Sequence, residues 1–281
     1  MAFVILSAFA NSTAGLLVRS IEAASDWQIV AYRGLALAGG VAVLLILQHR
    51  SRVLSEVRRI GRWGVLGGVF YGVTATAYTL ALTHTTVANT VFTLSAIPFF
   101  TAVLARILLG ERVRPGTWAA MAVAFAGIAL ITSDGIAAGT LLGNMMALVA
   151  ALAFSCFVIV LRHGRAANML PATGLGALLA ALVAAIVVGW ELAVSSRDLA
   201  ILFVWGGLVS CLAHSLVVFA ARHMPGAELT LLFLIEFVLA PLWVWFYVAE
   251  TPGPATLAGG AVVLAAAAGR ALTDLRPARR P

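Results

Sequence analysis

The sequence contains no lysine: every one of its 18 basic residues is arginine. Acids are scarcer, with 11 Asp and Glu together, and charged residues occupy only 10% of the 281 positions. A water-soluble domain carries about 25% charged residues, so this chain has too few to coat a surface facing water. Cysteine is nearly absent as well. Cys156 and Cys211 both fall inside apolar runs, which excludes a disulfide framework and any zinc spacing. No metal and no cofactor are expected. The chain lacks the G-x-x-x-x-G-K-[ST] phosphate loop, so nothing implies nucleotide hydrolysis, and it lacks H-E-x-x-H and G-x-S-x-G. Basic residues do not precede the first apolar run at Phe3, unlike the start of a cleaved signal peptide.

What remains is 62% hydrophobic. The apolar residues fall into continuous runs of ~20 positions, long enough to cross a hydrocarbon core of about 30 Å. A spanning segment must satisfy its own backbone, which helices do internally. The runs do not alternate, which argues against a β-barrel. The expected fold is an all-α integral membrane protein of ten spans. They lie near Phe3–Val18, Trp27–Leu47, Trp63–Leu82, Ala88–Leu108, Gly116–Thr132, Leu141–Leu161, Leu170–Trp190, Leu199–Ala221, Glu228–Val248 and Ala255–Leu272. Turn and charge signals separate them, among them the basic stretch Arg50 to Arg62, read as a loop.

The chain also repeats itself. Slid by 139 positions, His84 falls on His223, Glu111 on Glu250, Pro115 on Pro254, and Gly67-Gly68 on Gly206-Gly207. At an offset of 143, Ser12 falls on Ser155 and Arg19 on Arg162. Residues 1–135 and 136–281 therefore read as two five-helix repeats of one functional unit. Fifteen arginines fall in the even loops and the C-terminal tail, against Arg19 and Arg197 in the odd loops. The positive-inside rule then puts both termini in the cytoplasm. The arginines read as this topology signal and not as a nucleic-acid footprint. An odd number of spans per half inverts the second copy, the arrangement of carriers with a site between two halves.

The stretch Ala81-Leu82, His84, Ala88-Asn89-Thr90, Pro98, then Leu109-Gly110-Glu111 with Gly116 resembles the repeat of EamA-type carriers in the drug/metabolite transporter superfamily. The second copy supplies Ala220-Ala221, His223, Ala227-Glu228 and Ala249-Glu250. It departs at Pro98, which maps onto Phe237, with Pro241 one turn later. Within the superfamily the chain is most similar to YddG-type amino-acid exporters. The resemblance implies export of small metabolites across the bacterial inner membrane, amino acids foremost, with lipophilic drugs or other metabolites as the alternative. A homodimer is compatible with it.

Polar residues inside spans are expensive and thus mark candidate sites. Glu236 lies about eight residues into the ninth span, roughly 12 Å deep at 1.5 Å per residue. It could bind a substrate amine or carry a coupling proton. His214 shares a helical face with Ser210 and Gly207 and titrates near neutrality. Tyr71, Thr74 and Tyr78 form one stripe of the third span, and Gly64, Gly68 and Gly72 another with close-packing spacing. Asn11, with Ser12 and Thr13, interrupts the first span. These residues, Asn11, Tyr71, Thr74, Tyr78, Ser210, His214 and Glu236, are the expected substrate contacts, and Pro98 is the expected hinge. Arg33 is expected to snorkel to the headgroups or to pair with Glu22 or Asp26, with a substrate carboxylate held through two parallel hydrogen bonds as the alternative. Trp243 and Trp245 are expected as interface anchors, and Glu111 and Glu250 as structural caps. An intramembrane enzyme would have only Ser210 with His214 to work with, and a pore would show polar stripes along several spans.

Overall fold

A computed structural model describes residues 2–110, 115–137, 140–163, 168–220 and 226–275, and these are helical almost throughout. The first apolar run is two helices, α1 (Ala2–Ser12) and α2 (Ala14–Arg19). They part at Thr13, where the Ser12 hydroxyl donates to the Phe9 carbonyl and the Thr13 hydroxyl to that of Ala10, both at 2.7 Å. Such local bonds compete with the helical ladder. α3 (Asp26–His49) begins with a capping box, Ser25 accepting from the Gln28 amide while Gln28 accepts from that of Ser25. The basic stretch that follows is helical rather than a loop: a 3-10 turn over Arg50–Arg52 leads into α4 (Val53–Arg59). Glu56 and Arg59, one turn apart and 2.8 Å between charged atoms, support it.

α5 (Gly61–His84) is followed by α6 (Val87–Leu94), whose N-terminus is capped by the Thr86 hydroxyl accepting from the Asn89 amide. The fourth apolar run then breaks at Ser95 and Ala96, and α7 (Ile97–Leu109) restarts it with Pro98 in its first turn. Proline is tolerated there because the first-turn amides have no intrahelical acceptor. Gly110 ends α7 in the left-handed region at φ 68°. Next come α8 (Pro115–Ala137), α9 (Leu141–His163) and α10 (Leu170–Val187). α11 (Ser196–Phe203), capped by Ser195, runs through a π-helical stretch at Val204–Ser210 into α12 (Cys211–Ala220). α13 (Gly226–Val248) and α14 (Pro254–Leu275) complete the chain.

Six of these segments are long and apolar enough to cross a membrane: Asp26–His49, Gly61–His84, Val87–Leu108, Leu141–His163, Leu170–Val187 and Ser196–Leu216. Pro115–Ile131, Glu236–Val248 and Pro254–Gly269 are shorter apolar helices. Leu47, Ile107, Leu208 and Phe246 each expose more than half of their surface on the outside of the bundle, where lipid would cover them.

α3 packs along α10, and α8 along α14. α5 lies against α9 and α10, while α1 lies against α12 and α13. α6 and α7 both pack on α9. Small residues allow the close crossings, as membrane helices associate by packing rather than by hydrophobic exclusion. A methyl group added at Gly72 would lie 2.9 Å from the Gly176 carbonyl oxygen, and one at Gly34 would lie 2.6 Å from that of Ala177. Gly127 of α8 and Gly259 of α14 meet in the same way. Within the glycine stripe of α5, Gly68 and Gly72 serve this packing against α10. Gly64 does not: its neighbour is the Ile60 side chain at the start of its own helix. Glu111 and His223 of the repeat lie outside the described residues, as does the side chain of Glu228.

Candidate functional site

Two residues singled out for their burial cost meet across the bundle. Asn11, at the end of α1, donates its amide Nδ2 to Glu236 Oε1 of α13 at 2.5 Å. Glu236 is only 6% exposed. Packing of α1 on α13 makes the contact possible. The asparagine's own side-chain oxygen, Oδ1, is buried without a donor. A buried polar atom left unpaired costs about 1–3 kcal/mol, so such atoms are rare in a settled interior.

A second pair joins α5 to α12. The Tyr71 hydroxyl lies 3.0 Å from His214 Nε2, with the rings edge to face and their centroids 5.1 Å apart. His214 Nδ1 lies 2.7 Å from the Ser210 carbonyl. A carbonyl can only accept, so Nδ1 carries the proton, and in the neutral imidazole Nε2 accepts from Tyr71. The neutral ring is thereby restricted to one tautomer. Ser210 takes part through its backbone, and its hydroxyl is buried without a partner. The serine–histidine pair that an intramembrane hydrolase would require is not made in this geometry.

Arg33 departs most from expectation. It neither reaches the headgroups nor pairs with Glu22 or Asp26, and it is 4% exposed. Glu22 is taken by Arg197, and Asp26 lies 3.4 Å from His84 Nε2. The Arg33 guanidinium stacks over the Trp205 ring at 4.5 Å and faces the Tyr78 ring at 5.4 Å. Its Nη1 donates to Thr79 Oγ1 at 2.9 Å and to the Ala75 carbonyl at 3.3 Å. Position along α3 could not show this, because the outcome depends on which face of the helix meets α5 and the π-helical stretch. The crowding is tight enough for Gly206 to press on the Arg33 carbonyl, which only glycine permits. Arg33 Nε and Trp205 Nε1 are both buried without acceptors. Tyr78 and Trp205 belong to one buried cluster with Phe237, the residue after Glu236. Arg33 thus joins Tyr78, while the other expected residues meet as two pairs, Asn11 with Glu236 and Tyr71 with His214.

Other expected residues fall differently. Thr74 is half-buried and donates to the Phe70 carbonyl of its own helix at 2.8 Å. Pro98 marks the restart of the fourth run, beside the Ile97 carbonyl that accepts from the Ser155 hydroxyl at 3.2 Å. Trp243 is not an interface anchor, because its indole donates to Ser12 Oγ at 2.9 Å and its ring packs edge-on against Phe9. Trp245 remains exposed on the outer face. Glu250 has the structural role expected of it, pairing with Arg19 at 2.6 Å and accepting from the Val87 amide at 2.7 Å.

Two buried polar groups had no strong local signal. Asn144 Oδ1 accepts from Thr85 Oγ1 at 2.9 Å and from Asn89 Nδ2 at 3.3 Å, and Asn89 Oδ1 accepts from Thr256 Oγ1 at 2.7 Å. Asp198, completely buried, accepts from the amides of Glu22, Ala23 and Ala24 at 2.9–3.2 Å. It clasps the turn between α2 and α3. Only its place near the N-terminus of a helix, three residues after Ser195, hinted at a structural use.

A crystal structure of another protein shares this fold, with a TM-score of 0.64 over 98% of this chain and 98% of its own, at 19% identity. It is among 15 solved chains that match. No curated protein matches. Residues 1–133, which run from α1 through most of α8, match the profile of the EamA-like transporter family, and the apolar helices make the chain a multi-pass membrane protein.

Proposed function

We propose that this chain is a secondary transporter that exports small metabolites, amino acids foremost, by alternating access across a bacterial inner membrane. The observation that carries the reading is the buried contact between Asn11 and Glu236, 225 residues apart and contributed by opposite halves of the chain. A carboxyl group held inside an apolar bundle marks a solute or proton pathway by default. The match of residues 1–133 to a transporter family supports it.

The helix pairing supports two inverted five-helix repeats. Exchange of the halves sends α3 onto α10 and α8 onto α14, and each packs on its own image. The same exchange turns the packing of α1 on α13 into that of α9 on α6 and α7. Counted as ten spans, with the arginine-rich loops inside, the chain has both termini in the cytoplasm. The site then lies between the halves, which rock around it to open one side at a time. Asn11, Tyr71, Tyr78, His214 and Glu236 face the solute. Ser210 orients His214, Thr74 borders the group, and the break before Pro98 is the hinge.

Efflux from proteoliposomes preloaded with labelled amino acids, with and without a pH gradient, tests this reading. Selective, saturable efflux is the expected result. Absence of amino-acid flux in folded protein, with flux of lipophilic cations or other metabolites, would replace the substrate class. Absence of any solute flux would remove the carrier.

A further inference from the structure

We propose that Arg33 is the receptor for a substrate carboxylate and that Asn11 with Glu236 receives the ammonium end of the same molecule, so that the site is built for a zwitterion. The proposal rests on the carrier reading and specifies its ligand. A guanidinium kept inside an apolar bundle for structure alone would be neutralised by an acid. The acids with described contacts are otherwise engaged. Glu22 pairs with Arg197, Asp26 with His84, Glu56 with Arg59 and Glu250 with Arg19. Asp198 is held by three backbone amides, and Glu236 by Asn11. Arg33 is left with a hydroxyl, a carbonyl and two aromatic faces.

The unpaired atoms are of the right kind at each end. Arg33 Nε and Trp205 Nε1 are buried donors without acceptors. Asn11 Oδ1 is a buried acceptor without a donor, beside the Glu236 carboxyl group. A carboxylate supplies acceptors and nothing else, and an ammonium supplies donors and nothing else. Tyr78 and Trp205, which flank the guanidinium, share one buried cluster with Phe237, the residue after Glu236, so the two ends border the same core. The Trp205 and Tyr78 rings hold the guanidinium plane so that it can bind a planar carboxylate with little loss of freedom.

The test uses the full chain purified in detergent, its melting temperature titrated with L-phenylalanine, L-leucine and L-threonine, each matched to its methyl ester and its N-acetyl derivative. The free amino acids should stabilise the protein at concentrations about tenfold lower than either derivative, each derivative having lost one charged hydrogen-bonded end. Arg33→Gln should erase the preference for acid over ester while keeping the preference for free over acetylated amine, and Arg33→Lys should keep part of both. Should Arg33→Gln not fold, Thr79→Ala, which removes one acceptor of Nη1, should still shift the acid-to-ester ratio. Equal stabilisation by acid and ester in the unaltered protein, no stabilisation by any acid, or an unchanged ratio in the variants would overturn the proposal. A protein that binds no carboxylate yet moves another solute in the efflux assay would leave the carrier reading standing and remove only the role of Arg33.

Discussion

Arg19 and Glu250, 231 residues apart in sequence, form an ion pair of 2.6 Å that ties three connections together. Arg19 also donates to the carbonyls of Leu82 and Thr85, and Glu250 accepts from the Val87 amide. The knot fastens the end of α2 to the turn between α5 and α6 and to the turn between α13 and α14. Both side chains are partly shielded, at 23% and 15% exposed, so the charge-assisted bonds count for more than an open surface pair. Arg19→Gln or Glu250→Gln should each cost about 2 kcal/mol, the scale of a lost hydrogen bond to a charged group. The double variant should cost little more than the worse single one. Thermal melts of the four proteins give this cycle, and additive losses would show that the two residues act independently.

The buried network around Asn144 predicts a stability effect away from the proposed substrate residues. Asn144→Ala removes the acceptor shared by Thr85 and Asn89 and should lower stability by about 1–3 kcal/mol. Asn144→Asp keeps an acceptor and should cost less if it is accommodated as the neutral acid. The same melts check both. If Asn144→Ala melts like the unaltered protein, the network is incidental.

His214 has an expected tautomer. With Nδ1 donating to the Ser210 carbonyl and Nε2 accepting from Tyr71, nitrogen-15 spectra of histidine-labelled protein at neutral pH should show an Nδ1–H imidazole that disappears in His214→Asn. In Tyr71→Phe the Nε2 resonance should move as it loses its donor, while Nδ1 stays protonated. An Nε2–H tautomer or an imidazolium in the unaltered protein would contradict the arrangement.

The sequence made the membrane character and most helix ends readable, because these rest on local chemistry. Ser25, Thr86 and Ser195 cap the helices they precede, and Gly110 closes α7. The interruption at Thr13 was readable from hydroxyls and Asn11 in an apolar run. α4 was missed because it is only seven residues long and lies within the basic stretch Arg50 to Arg62, and the π-helical stretch because nothing local marks it: Gly206 within it meets Arg33 of another helix. The site was legible in part. Glu236 and Asn11 stand out by the cost of burying them, but nothing local pairs residues 225 positions apart. Arg33 looked like a snorkelling side chain because depth along a helix does not reveal which face turns inward. Trp243 resembled an interface anchor for the same reason.

Counterflow through proteoliposomes, with the unaltered protein beside Glu236→Gln, tests the central claim most directly. The substituted side chain keeps an oxygen for Asn11 Nδ2, so the variant should fold and melt close to the unaltered protein while losing the carboxyl group at the junction of the halves. The account predicts that unlabelled amino acid inside the vesicles accelerates entry of labelled amino acid in the unaltered protein and that the variant loses most of this exchange. Flux that neither saturates nor responds to solute on the far side, or full exchange by the variant, would contradict a carrier working through Glu236.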